Sequence, residues 1–150
     1  NPQCNTACFT IWFAGCNFHC NECQNPQLWD REFGGEWSTS DLYNTIIFNC
    51  YKFNYNTVVF LGGEPLQQDK QELLSLCQLL HEKGINIWIY TGYELEQVDK
   101  EILECIHTIK CGMYKSELRQ DGFPASSNQK VYRSIAGDLV DITSELRRNY

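Results

Sequence analysis

Three cysteines fall within eight positions of the chain, Cys16, Cys20 and Cys23 in GCNFHCNECQNPQLWD (15–30). Thiolates that close bend around a shared centre. Four chemistries use such a cluster: structural zinc, a disulfide knot, a redox thiol pair and an iron–sulfur cluster. A structural zinc takes four protein ligands. His19, Cys4, Cys8 and Cys111 are candidates for the fourth, but none sits at the paired spacing of a zinc knuckle. A redox pair needs C-x2-C at a helix start, and Cys20 and Cys23 have that spacing, which leaves Cys16 unexplained. Three thiolates on a four-iron cluster leave one iron without a protein ligand, open for chemistry. Spacing and placement favour the cluster, with zinc and redox thiols as open alternatives.

The remaining cysteines of the nine read differently. Cys77 in LLSLCQLL and Cys105 in EILECI sit among apolar residues at helical spacing, and with Cys50 they read as small buried thiols. A secreted disulfide scaffold is normally shorter, with an even number of cysteines spread through loops, so a reduced cytoplasm is the expected compartment.

The elements that must position the cluster follow from hydrophobic periodicity. CFTIWFAG (8–15), NTVVFLGG (56–63), INIWIYTG (85–92) and the weaker HTIKCG (107–112) read as buried strands. Residues 39–55, 69–84 and 94–106 carry capping signals and helical stripes, with Gly84 as a C-terminal stop. Residues 113–129 are polar and loop-like, and KVYRS and DLVDIT give two short strands near the end. Alternating strands and helices ask for a parallel sheet with right-handed crossovers, whose chemistry lies outside the carboxyl ends of the strands. The cysteine loop, GGEPL and TGYE each follow a strand and so converge on one rim.

With 150 residues and no repeat, low-complexity tract or linker, one domain over 1–150 is expected. A formal net charge of −7 disfavours nucleic acid as a partner, because the surface repels phosphate backbones. No apolar run approaches the roughly 20 residues that span a bilayer, so no membrane association is expected. The opening NPQCNTACFT lacks the basic start and apolar stretch of a secretory signal, and the chain does not begin with Met.

The C-x3-C-x2-C spacing of CNFHCNEC resembles that of the radical S-adenosylmethionine (SAM) superfamily, and GGEP (62–65) resembles its methionine-binding glycine motif. A closer resemblance is to the small activating enzymes of anaerobic ribonucleoside-triphosphate reductase. It rests on residues 15–30, GGEPLQQDKQELLSL (62–76), IWIYTGYELE (87–96) and SSNQKVY (126–132), and runs through nearly the whole chain in order. It implies a single-domain partial (β/α) barrel with a mostly parallel, curved sheet and outer helices. It also implies a [4Fe–4S] cluster on Cys16, Cys20 and Cys23, with SAM on the open iron. Reductive cleavage of SAM would yield a radical that takes a hydrogen atom from a glycine of the reductase. The electron donor would be a flavodoxin or similar low-potential carrier.

Site residues follow from the same comparison. Gly62 and Gly63 let backbone approach a ligand where a Cβ would intrude, and Glu64 offers an acceptor for an ammonium group. Thr91 and Gly92 at the third strand end, Lys110 at the fourth and Asn128 beyond it complete the expected SAM contacts, the last in a run (Ser126–Asn128) that reads equally as a polar turn. Much of the superfamily has an aromatic residue before the third cysteine. Here it is Glu22, so only backbone groups of Glu22 and Gln24 are expected to serve the adenine. No Ser–His–Asp set or carboxylate pair calls for a catalytic role, so none is assigned beyond the cluster ligands. Cys4 and Cys8 form a further C-x3-C without a place in this scheme, and Cys111 near the fourth strand end reads as structural. Two rival functions remain: an activase of another glycyl radical enzyme, and a non-catalytic zinc-stabilised binding module.

Overall fold

Four parallel strands, β1 (Phe9–Phe13), β2 (Thr57–Gly62), β3 (Asn86–Tyr90) and β4 (Thr108–Cys111), lie side by side in chain order. They belong to a computed structural model that describes residues 7–148. Two antiparallel strands, β5 (Lys130–Ile135) and β6 (Asp138–Asp141), extend the sheet to six, with β1 and β6 as its open edges. The four parallel strands are those the alternating pattern predicts, and the mostly parallel, unclosed whole agrees with the partial barrel that the resemblance implies.

The crossovers are helices with local reasons to start where they do. Ser38 Oγ accepts the Asp41 N–H at the head of α1 (Thr39–Phe53), and Asp69 Oδ1 accepts the Glu72 N–H at the head of α2 (Lys70–Glu82). Asn54 (φ +56) and Gly84 (φ +80) take the left-handed turns that follow them.

The third helix departs from expectation. Residues 94–106 do not form one helix, because Gln97 Oε1 accepts the Glu94 N–H and closes a separate 3-10 turn over Leu95–Gln97. Val98 is extended (ψ 135°), and the helix restarts after Asp99 as α3 (Lys100–Cys105). The C-terminal SELRR stretch, left without an element by the pattern, lies in a short helix, α4 (Thr143–Arg148).

Strand alternation sorts side chains onto two faces. Val58, Phe60, Ile87, Ile89, Ile109 and Cys111 point to the helix layer, where Ile46, Cys50, Leu76, Cys77, Leu80 and Ile102 meet them in one buried cluster. Leu80 and Cys77 are fully buried there. The opposite face carries Leu61, Tyr90 and Lys110, and Val131 joins Phe123, Ile142 and Leu146 of α4 in a smaller cluster at its β5 side. Among the described residues no helix is long and apolar enough to cross a membrane.

Candidate metal and cofactor site

The segment between β1 and α1 is a loop closed at its neck. Gly15 N–H donates to Leu28 O (2.8 Å) and Cys16 N–H to Trp29 O (3.2 Å), so residues 16–28 stand out from the strand end as one unit. The end of β2 clasps that neck, with Gly63 N–H on Phe13 O (2.7 Å) and Glu64 N–H on Gly15 O (2.9 Å). The glycine pair is therefore needed for a different reason from the one its sequence suggests. A Cβ on Gly62 (φ +115) would lie 2.6 Å from Phe13 O, and one on Gly63 would lie 2.6 Å from Gly15 O and 2.8 Å from Leu28 O. The close approach is backbone to backbone, Gly62 against the end of β1 and Gly63 against the neck of the cysteine loop, although both glycines also border the cavity described next.

A cavity of about 420 Å³ opens between this loop, the carboxyl ends of β2–β4 and the segment after β4. Cys16, Cys20 and Cys23 all line it, as do Gln24, Gly62, Gly63, Glu64, Thr91 and Lys110. Two expected site residues stand apart from its lining. Glu22 is exposed with φ +58, and Asn128 donates its Nδ2 to Met113 O at 2.9 Å, leaving Oδ1 buried with no hydrogen-bond partner. Aromatic residues that the motif reading passed over supply much of the wall: Trp12, Trp29, Tyr90 and Phe123. Strand alternation puts Tyr90 and Lys110 on the same face of the sheet, and the register of β3 and β4 makes them neighbours.

The electrostatics of the rim are organised around one carboxylate. Glu64 is buried, and its Oε1 accepts from Thr91 Oγ1 (2.8 Å) and Leu66 N–H (3.0 Å) while Oε2 accepts from Gly92 N–H (2.7 Å). Burial raises its pKa, and these donors together with Lys110 oppose the rise. With its oxygens so occupied, Glu64 and Thr91 tie the ends of β2 and β3 together. Lys110 is different. Its ammonium lies 4.7 Å from the Tyr90 ring centroid and 5.8 Å from that of Phe123, and burial lowers its pKa to about 8 against the opposing pull of Glu64, Cys111 and Cys20.

Two of the three thiols resist ionisation. Burial raises Cys16 first, with Glu64 and Cys23 adding to it and the N–H groups of Phe18 and His19 opposing. Cys20 is raised by burial, then by Cys16 and Cys23, against the Tyr114 N–H. Three cysteine sulfurs lining one cavity are a donor set for a cationic centre. Among the described residues no three His, Cys, Asp or Glu side chains close on a point where one metal ion would sit. A lone zinc needs all its sulfurs at about 2.3 Å, whereas a four-iron cluster presents a separate iron to each thiolate. Three thiols lining one cavity are donors of the type such a cluster takes. His19, a possible zinc ligand by sequence, instead stacks on Trp29 with ring centroids 4.4 Å apart.

The sequence as a whole agrees with this chemistry. Residues 5–132 match the family model described as a 4Fe-4S single cluster domain. The chain belongs to that family. Over 133 residues it is 28% identical to the anaerobic ribonucleoside-triphosphate reductase-activating protein of Salmonella typhimurium, covering 82% of this chain and 86% of that protein. The protein of the same name from Escherichia coli K12 matches with the same identity and coverage. A pyruvate formate-lyase-activating enzyme from Clostridium pasteurianum is 31% identical over 107 residues, 65% of this chain and 44% of that enzyme. The resemblance to reductase activators read from the motifs is thus borne out, and a [4Fe–4S] cluster is the cofactor of this family.

The other cysteines lie elsewhere. Cys50, Cys77, Cys105 and Cys111 are buried in the helix layer, and half-buried Cys8 lies near enough to Cys50 for its charge to raise that thiol. Cys4 lies outside the described residues.

Proposed function

We propose that this chain is a radical SAM activase that generates a glycyl radical on anaerobic ribonucleoside-triphosphate reductase. Cys16, Cys20 and Cys23 hold a [4Fe–4S] cluster, and the cavity beside them holds SAM. The observation that carries this reading is the sharing of one cavity by the three cysteines, the half-buried Lys110 and the Glu64–Thr91–Gly92 rim. When bound, cluster and SAM supply one-electron reductive cleavage and a carbon radical able to abstract hydrogen.

The residues of the chain do the rest. Lys110, facing the cavity with no described carboxylate in salt-bridge contact, serves the carboxylate of SAM. The Glu64 network holds the rim rigid, so that the cysteine loop and the ends of β2 and β3 keep one geometry. Trp12, Tyr90 and Phe123 exclude water from the reacting centre. Gln24, with Gly62 and Gly63, offers backbone to the ligand. Glu22 and Asn128 act from outside the lining, Asn128 through Met113. A low-potential carrier such as flavodoxin delivers the electron in a cytoplasmic setting.

The experiment is an anaerobic preparation with iron and sulfide quantified. The protein is expected to be brown, to hold about four irons per chain, and to lose them in Cys16→Ala. A colourless protein with one tightly bound zinc would sink the proposal and favour the binding module. Reduced protein with SAM should release 5′-deoxyadenosine, and a glycyl radical signal should appear only when the reductase is added. The similarity to a pyruvate formate-lyase activator supports a second reading, activation of another glycyl radical enzyme. A radical on that partner and none on the reductase would select it.

A further inference from the structure

Two glutamines follow GGEPL in the sequence, and their amides reach different parts of the cysteine segment. Gln68 Nε2 donates to Ala14 O (2.9 Å), at the stem just after β1. Gln67 reaches further. It ends the 3-10 turn Pro65–Gln67, which Glu64 fixes by accepting the Leu66 N–H (3.0 Å) on its carboxylate and the Gln67 N–H (3.1 Å) on its carbonyl. From there Gln67 Oε1 accepts the Asn17 N–H (2.8 Å), one residue past Cys16, and Nε2 donates to the Tyr93 hydroxyl (3.3 Å). Tyr93 is itself anchored, its N–H donating to Thr91 Oγ1 (3.1 Å). Its ring stands edge-on to Phe18 with centroids 4.9 Å apart, and the Phe18 ring lies against Gly92, where a Cβ would come within 2.6 Å of it. Asn17, Gln67, Tyr93 and Phe18 thus close a circuit around the first half of the loop. Two observations show why the loop needs such a hold. His19 (φ +48) and Glu22 (φ +58), on either side of Cys20, take a left-handed backbone that persists in residues with a Cβ where the surroundings impose it. Behind Cys16, a second cavity of about 50 Å³ is lined by Gly15, Asn17, Arg31, Gln67 and Gln68, so packing alone does not fix the loop from that side.

We propose that Gln67 is a positioning residue for the cluster: through Asn17 and the Tyr93–Phe18 contact, its amide holds the cysteine loop in its ligating shape and slows the loss of iron. The inference rests on the cluster assignment made above. An amide suits this place because it accepts on one atom and donates on the other, so both partners are satisfied at once. A hydrocarbon side chain of similar size does neither. Groups that orient metal ligands from one step away are costly to lose, typically by about 10–100-fold in metal affinity.

The test times the release of iron from the anaerobically reconstituted protein to the ferrous chelator bathophenanthroline disulfonate, beside the urea midpoint of the cluster-free protein. Gln67→Leu is expected to release iron about tenfold faster, with the wild-type midpoint. Gln67→Glu is expected to release iron as wild type does, because a carboxylate accepts from both the Asn17 N–H and the Tyr93 O–H. Tyr93→Phe keeps the ring on Phe18 and loses the hydroxyl, so its release is expected to quicken by a smaller factor. A Gln67→Leu protein with the wild-type midpoint that takes up no cluster supports the inference as well. If Gln67→Leu does not fold, Tyr93→Phe decides alone, and wild-type release from it overturns the inference. Wild-type release from Gln67→Leu, equally fast release from Gln67→Leu and Gln67→Glu, or faster release with a lowered midpoint also overturns it and leaves the cluster assignment standing. A wild-type protein that holds no cluster overturns both.

Discussion

Lys110 and Cys111 are adjacent on β4, and the sheet puts them to opposite uses. Lys110 turns into the cavity beneath Tyr90 and Phe123, while Cys111 turns into the helix layer among Ile, Leu and Val. Burial disfavours the charged form of both, lowering the ammonium to about 8 and pushing the thiol up to about 12. On the outer face the neutral thiol fills space and nothing more is asked of it. On the inner face a cation is kept where a carboxylate-bearing ligand can meet it. The cysteines divide along the same line: four fill the helix layer, and three crowd the rim. Chemical identity is shared, and position relative to the sheet decides the role.

The largest effect that could break this comparison is on metal content. Cys16→Ala is expected to abolish iron binding and SAM cleavage, whereas Cys77→Ala should retain full iron and lose only roughly 1 kcal/mol of stability. Iron analysis beside urea unfolding reads both. Loss of iron in Cys77→Ala would erase the distinction between the faces.

Next come two packing tests. Leu80→Ala, at a fully buried position of α2, should cost about 2–5 kcal/mol and spare the rim. Glu64→Gln puts an amide donor against the donors that the carboxylate now accepts from, and should cost about 1–3 kcal/mol. It should also weaken SAM binding, because it loosens the clasp between β2 and β3. Denaturation midpoints and SAM titrations separate the two variants.

A smaller effect sharpens the contrast through pH. Lys110 titrates at about 8 in the fold against 10.5 for an unperturbed lysine. Between those values the unfolded chain binds the proton and the fold does not, so this group makes stability rise with pH. Cys77 and Cys111 titrate at about 12 against 9.0, so the fold keeps protons that the unfolded chain has lost, and stability falls across that window. Lys110→Met should therefore remove the rising contribution, and Cys77→Ala should flatten the fall. Urea midpoints of wild type and both variants at intervals from about pH 7.5 to 11 test the two signs, and equal slopes would contradict them.

The smallest expected change is local to the helix layer. Asp69→Ala removes the cap of α2 and should lower stability by about 1 kcal/mol, with iron content unaltered.

Much of this was legible before any coordinates. Apolar runs of four to six residues separated by capped helices specify a parallel sheet, and the segments after each strand must then meet at one rim. The cysteine spacing was legible for the same kind of reason, since it is a local property of the chain. What escaped the sequence was non-local. The glycine pair reads as a ligand contact, and only the end of β1 and the neck of the cysteine loop pressing on it explain why a Cβ is excluded. Residues 94–106 carry a helical stripe, and the Glu94–Gln97 turn still breaks it. The SSNQ run looks like a polar turn or a ligand loop until Gly112, Met113 and Lys115 are seen in its grip.

By itself, then, the sequence determined the strands, the two longer helices and the spacing of the three cysteines, because periodicity, capping and ligand spacing act over a few positions. The tertiary structure alone decided what those residues face. Glu64 spends its carboxylate on Thr91 and Gly92 across 27 and 28 residues of chain, and Lys110 meets Phe123 across a loop. Such pairings depend on how the strand ends are brought together, and no local pattern encodes them.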